Sequence, residues 1–406
     1  MWKVAVPRLS SRQRYLAVFG GIALIIAGGI AGSVLTGAHD RATLSSGTIP
    51  VEAGTETCGQ GWGASAAGDH TFALHNTTIA TEEIYLEGRD GRIYGELEAL
   101  GPASTHELSA RLSAGSYRFV CLAEDLPTVR GPLATVTGPT RLAGATPGLR
   151  VVTGADLIAP TKTYHDWVAG RLPVLSSDVT ILAAAVHTGD RVAAEAAWLT
   201  AHEEYESLGA AYGAFGDMDG AINGGPASGD TALSDPDLTG FHRIEAQLWS
   251  GVALTDVVPA ADRLVDDIAQ LQQDFGTSRI PFLDVGLRSH EILENAVQFE
   301  LTGRTDAGSH SSLATVAANL VGTRAALAPL QSLLTSRYPQ LPETMSWLDR
   351  ADAVVADYHN PDGSWVPLTD LSTAGRETLN ATIDHTVELL ANVAAITDPR
   401  ISPDAH

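Results

Sequence analysis

The chain has 406 residues, of which 48 are acidic and 25 are basic, and its formal net charge at pH 7 is −23. This length allows two or three domains with a sizeable core. The negative charge argues against binding to nucleic acid or anionic lipid, and it favours cationic ligands.

The N-terminal segment has the pattern of an export signal. Residues 1–14 carry four basic side chains and no acid, and residues 15–35 are largely apolar and rich in glycine. For residues 1–40 this predicts either a cleaved signal peptide or an uncleaved N-terminal membrane anchor. In both cases we expect the rest of the protein to be exported to the periplasm or the cell surface.

Residues 48–137 have the pattern of a small β-sandwich. Short segments of alternating apolar and polar residues are separated by glycine and proline clusters, such as Gly101-Pro102. The two cysteines of the chain, Cys58 and Cys121, both lie here. In an exported protein an even pair predicts a disulfide. Residues 138–151 follow without apolar periodicity, and we interpret them as a linker.

Residues 152–398 have the pattern of an all-α domain. Alanine and leucine dominate, apolar residues recur at spacings of three and four, and breakers such as His187-Thr188-Gly189-Asp190 separate the segments. Several helices of the length found in helix bundles fit this span. The predicted architecture is therefore a β-sandwich followed by a helix bundle.

A possible metal site begins with His242 and Glu245. They stand three residues apart in a predicted amphipathic helix, so both side chains project from one face. An imidazole and a carboxylate on an inward-facing helix surface are how helix bundles build metal sites. The alternative is a core histidine that is hydrogen-bonded to a backbone carbonyl.

Two further patches contain side chains of the same kinds. One has Glu206 followed by Asp217 and Asp219, and the other has His290 and Glu294 at positions i and i+4. Carboxylates that converge from different helices suit hard or borderline cations such as iron. The competing interpretation is that the glutamates are solvated and that the aspartates belong to a turn or a helix cap.

The ordered set of these motifs resembles a known family. The blocks are AHEEYESLGAAYGAFGDMDGAING, TGFHRIEAQLW, RSHEILENA and ELTGRTDAGSHSSLATVAANLVGTR. In order and spacing they are similar to the imelysin-like domain of EfeO-type iron-uptake proteins, and the preceding region resembles the cupredoxin-like module of the same proteins. The resemblance implies an α+β multidomain protein, with a cupredoxin-like β-sandwich followed by an all-α imelysin-like bundle.

The resemblance also implies a function. Proteins of this family bind ferrous or ferric iron outside the cytoplasm, and they work beside a haem-dependent peroxidase and a membrane iron permease. The family's H-x-x-E pair falls on His242 and Glu245, its tyrosine-glutamate motif on Glu206, and its F-x-D-x-D turn on Asp217 and Asp219. This chain departs from the pattern at Gly209, where many members have a second glutamate. We expect the acids of the patch around His290, which are Glu291 and Glu294, to compensate.

For the β-domain the resemblance adds an alternative to the disulfide. Cys58 and Cys121 would then ligate copper or iron together with an acid such as Glu83. A blue-copper site is not predicted, since neither histidine nor methionine follows Cys121 closely and the domain contains no methionine.

A different function remains open because imelysin-like proteins have been classed with peptidases. A zinc metallopeptidase needs a general-base glutamate beside a metal with an open coordination position. The H-E-x-x-H arrangement is absent from the sequence, and the segment from His290 to Glu294 lacks the final histidine. We therefore prefer a non-enzymatic iron-binding role.

Overall fold

The computed structural model describes residues 47–123 and 126–400. The predicted signal peptide or membrane anchor at residues 1–40 lies outside the described residues. Strands occupy the first part of the described chain and helices the second, as predicted. The α+β class with a helical second part is therefore confirmed.

Ten strands form two sheets within the described residues. In the first sheet the order is β2-β1-β4-β7, and in the second it is β3-β10-β8-β5-β6, with β9 paired to β8. Only the pairs β1–β4 and β3–β10 are parallel among the described strands. The strands are β1 (Thr48–Ala53), β2 (Cys58–Gln60), β3 (Ser65–Ala66), β4 (Gly68–Asn76), β5 (Glu82–Gly88), β6 (Ile93–Leu100), β7 (Thr105–Leu112), β8 (Gly115–Ala123), β9 (Val129–Arg130) and β10 (Ala134–Thr137).

The two sheets pack face to face around one apolar core. Phe72 of the first sheet and Phe119 of the second meet there edge to face, with ring centroids 5.1 Å apart. Cys58 on β2 and Cys121 on β8 form a disulfide between the sheets. Of the two alternatives for the cysteines, the structure has the disulfide.

Glu83 lies on the other face of the second sheet. Successive side chains of a strand point to opposite faces, and Ile84 of β5 pairs with Cys121 in the sandwich core. Glu83 therefore points away from the cysteines, and it accepts a hydrogen bond from the hydroxyl of Tyr85. A metal shared by Cys58, Cys121 and Glu83 does not fit this arrangement.

The segment predicted as a linker packs against the β-sandwich. The amide of Thr146 donates to the carbonyl of Arg111 at 2.8 Å, and Leu149 pairs with Ile93 of β6. At the far end of the helical part, the Arg400 guanidinium binds Glu96 at 3.1 Å and Glu98 at 2.7 Å. These contacts connect the segment before the helical part to β6 and β7, and the segment after it to β6.

The helical part is built of eleven α-helices within the described residues. They are α1 (Gly154–Thr188), α2 (Arg191–Glu206), α3 (Tyr212–Phe215), α4 (Asp217–Asn223), α5 (Gly240–Trp249), α6 (Leu254–Phe275), α7 (Phe282–Gln298), α8 (Ser312–Leu327), α9 (Gln331–Thr335), α10 (Leu341–Ala356) and α11 (Thr373–Thr397). Short 3₁₀ turns lie at Gly209–Ala211, Glu300–Thr302, Ala328–Leu330 and Leu368–Asp370.

The boundary between α1 and α2 falls at the predicted breaker. Gly189 ends α1 in the left-handed conformation with φ 79°, and Asp190 caps α2 by accepting from the amide of Ala193. By length and composition alone, Gly154–Thr188 and Ser312–Thr335 are apolar enough to cross a membrane. Core helices of soluble proteins meet the same criterion, and both stretches contribute to the helical core.

Candidate metal centre

Helix α5 holds the predicted pair of His242 and Glu245. The helix begins at Gly240, whose φ of +75° is in the left-handed region. A Cβ atom at this position would lie 2.0 Å from the carbonyl oxygen of Ile222. Glycine is therefore required where α5 passes the end of α4, and this close approach places His242 and Glu245 in the protein interior.

His242 and Glu245 bind each other and a loop. The His242 Nδ1 atom lies 3.2 Å from Glu245 Oε2, and the exposed fractions of the two residues are 7% and 1%. Glu245 Oε1 accepts from the amides of Ala307 and Ser309 at 3.0 and 3.1 Å and from the Ser309 hydroxyl at 2.6 Å. Burial raises the pKa of Glu245, but His242 and Ser309 outweigh it, and the pKa lies below its usual value.

Helix α2 supplies a second histidine–carboxylate pair. Trp198, His202 and Glu206 follow one another at spacings of four residues, so they share one face. His202 Nε2 lies 3.3 Å from Glu206 Oε1 and 3.2 Å from Asn223 Oδ1. The Trp198 ring stacks on the imidazole with centroids 4.7 Å apart. The Nδ1 atom of His202 is buried and has no hydrogen-bond partner.

Glu206 is held by amide groups as well as by His202. Asn223 Nδ2 donates to its Oε1 at 2.7 Å, and Asn319 Nδ2 donates to its Oε2 at 3.0 Å. Burial raises the pKa of Glu206, but these bonds outweigh the effect and the pKa is lowered. Burial alone would lower the pKa of His202, yet Glu206 raises it above its usual value. His202 and Glu206 therefore each stabilise the charged form of the other.

The two pairs meet at a small cavity. The rings of His202 and His242 have centroids 5.6 Å apart, and both line a space of about 10 Å³ together with Glu245 and Glu300. This volume is close to that of one water-sized sphere. The hydroxyl of Ser312 also lines it, and like His202 Nδ1 it is buried without a hydrogen-bond partner among the described residues.

The donor set of this cluster fits a single cation. Two imidazoles line the cavity together with the carboxylates of Glu245, Glu300 and Asp306. Glu206 binds His202 without lining the cavity itself. Such mixed nitrogen and oxygen donors suit borderline cations, including iron. No group of three or more His, Cys, Asp or Glu side chains in the described part of the chain is already arranged around one point as a metal site. Instead, the histidine and the glutamate of each pair bind each other through ion pairs and hydrogen bonds.

Glu300 gives the cluster a pH-dependent charge. Burial, followed by repulsion from Glu206, raises its pKa to about 7 from an ordinary value of 4.5. Above about pH 5 the unfolded chain loses this proton while the folded protein retains it, so the free energy of unfolding falls as pH rises through about 7.

We therefore expect Glu300→Gln to stabilise the metal-free protein at about pH 8 and to leave its stability near about pH 5 unchanged, because the amide carries no charge to bury. Urea denaturation at both pH values measures this difference. Glu291→Gln is the matched control, since Glu291 lines a neighbouring cavity with Glu300. An identical pH profile for Glu300→Gln and wild type would contradict this interpretation.

The two predicted aspartates lie at the edge of the cluster. Asp217 is exposed in the first turn of α4, whose N-cap residue is Gly216, and no described side chain caps this helix by a hydrogen bond. Asp219 accepts a hydrogen bond from the Tyr205 hydroxyl at 2.6 Å. Burial raises the pKa of Asp219 to about 6, although Tyr205 opposes the shift. Asp219 therefore supports the residue that precedes Glu206 in α2.

The predicted pair on α7 is not brought to the cluster. His290 Nδ1 lies 3.8 Å from Glu294 Oε2, and Glu294 also accepts from Gln298. Within the described ranges no hydrogen bond or ion pair joins His290 or Glu294 to His242, Glu245 or Glu206. Of the two acids expected to compensate for Gly209, Glu294 therefore has no described contact with the cluster, whereas Glu291 lines the cavity beside Gly209.

Gly209 lines a second cavity of about 70 Å³ beside the cluster. Glu206 and Glu300 lie on its wall, and so does Glu291 of α7. A Cβ atom at Gly209 would lie 2.8 Å from Cγ1 of Ile292. Gly209, where the family resemblance implies a glutamate, thus lies near Glu300. Glu300 belongs to the cluster but comes from a different segment of the chain.

Two residues of the cluster were not among the predicted ligands. His202 had a signal in the sequence, because it stands four residues before Glu206 on the same helix. Glu300 had none, since it lies in a 3₁₀ turn that only the tertiary fold brings to the two histidines.

Comparison with known proteins places the chain in a family. The imelysin family model (Peptidase M75) matches residues 160–393, which is more than half of the chain. The chain is 25% identical over 334 residues to the iron uptake system component EfeO of Escherichia coli K12, with 81% of this chain and 86% of the relative covered. The EfeO protein of Shigella flexneri gives the same values.

Among solved structures, an iron-regulated protein A precursor from Parabacteroides distasonis ATCC 8503 superposes with a TM-score of 0.47 and 16% identity, covering 62% of this chain and 96% of that chain. The resemblance to EfeO-type iron-uptake proteins is confirmed by the family model and the curated relatives. Since the family model spans more than half of its length, the chain belongs to the imelysin family.

Proposed function

We propose that this protein is the extracytoplasmic metal-binding component of an iron uptake system and that its helical domain captures ferrous or ferric iron. The observation that carries the proposal is the cavity between His202 and His242, where buried polar atoms without partners face a space of one-ion size. The similarity to iron uptake system component EfeO supports iron as the cargo.

The location and the partners belong to the same proposal. The basic and apolar pattern of residues 1–40 favours export, as a cleaved signal or as an uncleaved anchor. The disulfide between Cys58 and Cys121 suits an oxidising compartment. An extracytoplasmic carrier must hand its cargo to a membrane permease, and we propose an iron permease and a haem-dependent peroxidase as the partners. We also propose a cupredoxin-like module for residues 48–137, joined through 138–151 to an imelysin-like domain at 152–398.

The zinc metallopeptidase alternative is less well supported by the site. Hydrolysis needs a carboxylate that is free to take a proton from metal-bound water. Glu245 accepts hydrogen bonds at both of its oxygens, and Glu206 does so too. Neither of these two carboxylates is therefore free for general-base chemistry in this arrangement, which leaves Glu300 as the glutamate at the cavity to take such a proton.

Titration calorimetry of the full-length protein tests the proposal, with ferrous iron under anaerobic conditions and with ferric iron as a soluble chelate. We expect the wild type to bind a single iron and His242→Ala to lose at least about 100-fold in affinity, because ligand loss should exceed the 10- to 100-fold effect typical of residues that support a ligand.

His187→Ala is the control, because His187 is exposed and paired with Asp262 at 2.7 Å, on a different pair of helices. Equal iron affinity in the wild type and His242→Ala would contradict the site. Peptide cleavage that disappears on chelation and in His242→Ala would favour the metallopeptidase instead.

A further inference from the structure

The two histidines of the cluster use opposite ring nitrogens for their carboxylates. His202 directs Nε2 to Glu206 Oε1 and to Asn223 Oδ1, which are both acceptors. His242 directs Nδ1 to Glu245 Oε2. In a neutral imidazole the nitrogen that faces an acceptor carries the proton, and the other nitrogen keeps a free lone pair. That free nitrogen is Nδ1 in His202 and Nε2 in His242.

The carboxylate of Glu245 is engaged by four donors, three of them at one oxygen. A carboxylate offers about four lone-pair directions. Oε1 receives the amides of Ala307 and Ser309 and the Ser309 hydroxyl, and Oε2 receives His242. Four donors therefore occupy one carboxylate that is 1% exposed. To bind a cation through Oε1, Glu245 would have to break bonds to residues 303–311, and through Oε2 it would share that oxygen with His242.

Glu206 is occupied in the same way. Its Oε1 receives His202 and Asn223, and its Oε2 receives Asn319, with the Tyr212 hydroxyl at 3.5 Å. By contrast, the free nitrogen of His202 is buried without any partner. For Nε2 of His242 the described part of the chain shows no hydrogen bond either. The unused donor atoms are on the histidines, while the carboxylates are engaged.

We propose that Glu206 and Glu245 are positioning residues, and that the cargo is contacted by His202 Nδ1, His242 Nε2 and the carboxylate of Glu300. This assignment rests on the proposed function. A histidine that ligates a metal commonly donates its other ring N–H to a carboxylate, which fixes its tautomer and orientation. Glu300 completes the set because it lines the cavity with both imidazoles.

The assignment predicts opposite tautomers in the metal-free protein. Long-range ¹H–¹⁵N correlation spectra of full-length, histidine-labelled protein at about pH 9, well above the usual histidine pKa, read them directly. We expect the Nε2–H tautomer for His202 and the Nδ1–H tautomer for His242, with signals assigned from His202→Gln and His242→Gln. The reverse tautomer at either histidine would overturn the proposal.

Glu245→Gln separates positioning from direct ligation. The three loop donors must face the amide oxygen, so the amide NH₂ faces His242 Nδ1 and shifts the ring proton to Nε2. We expect the His242 tautomer to switch, the His202 tautomer to remain, and iron affinity to fall about 10- to 100-fold.

Lost affinity with an unchanged His242 tautomer would mean that Glu245 binds the cargo itself and would overturn the proposal. Glu294→Gln is the control, because Glu294 faces His290 outside the cluster, and its spectra should show no change at His202 or His242. The failure of the proposed function has a different signature: the wild type would bind no iron, while the tautomers could still be read.

Discussion

His202→Ala is expected to lower iron affinity by at least about 100-fold, as much as or more than the loss of His242. His202 lines the cavity, and its Nδ1 atom is buried without a hydrogen-bond partner among the described residues. Its removal deletes a donor and also leaves the buried carboxylate of Glu206 without its imidazole partner. Affinity is measured by titration calorimetry with iron, and folding by circular dichroism.

A second variant separates binding from folding in this experiment. His202→Gln keeps a polar side chain next to Glu206 and Asn223, so we expect it to fold like the wild type and still to bind iron weakly. His290→Ala is the matched control, since His290 is also a helical histidine with a glutamate four residues later. If His290→Ala lost more affinity than His202→Ala, the site would lie on α7 instead.

Gly240→Ala is expected to have the largest effect on stability, a loss of at least about 3 kcal/mol in the free energy of unfolding. The left-handed φ of +75° penalises any side chain, and the added Cβ would lie 2.0 Å from the Ile222 carbonyl oxygen. Because backbone atoms cannot yield as a flexible side chain can, α5 must move away from α4. Iron affinity should fall with it, since α5 carries His242 and Glu245.

Gly251→Ala isolates the clash from the backbone strain. Gly251 follows α5 with φ +79°, and a Cβ atom there meets nothing within 4 Å. We expect this control to cost only about 1 kcal/mol and to leave iron affinity unchanged. Urea denaturation of the three proteins gives the comparison. Equal losses in both variants would show that strain alone, and not the approach to Ile222, sets the requirement for glycine.

Local patterns were sufficient to predict the elements that carry the site. The breaker at Gly189 and Asp190 marks a real helix boundary because glycine ends one helix and aspartate caps the next. The pairing of His242 with Glu245 follows from helical periodicity, which places residues three apart on one face. These features depend only on residues that are close together in the chain, so a single sequence is enough to predict them.

Which residues make up the site depends on tertiary structure. The sequence therefore predicted only some of them. Glu300 and the Ser309 loop reach the histidines from more than fifty residues away, and two of the three loop donors to Glu245 Oε1 are backbone amides, which no side-chain motif encodes. His290 and Glu294 have the right spacing and do pair, but with each other. Spacing predicts which side chains share a face and not what that face packs against.

The same limit applies to the β-domain. Glu83 is close to Cys121 in the paired strands, yet alternation sends the two side chains to opposite faces of the sheet. The disulfide depends on how two sheets stack, which follows from the shared core of Phe72 and Phe119. The sequence left disulfide and metal ligation open because strand pairing cannot be read from one sequence.

The most direct test of iron capture between the two histidines is a crystal structure of the iron-loaded full-length protein, with anomalous diffraction recorded at the iron absorption edge. We expect a single strong anomalous peak within bonding distance of both His202 and His242. A peak that lies instead at His290 and Glu294, or in the β-domain, would contradict it.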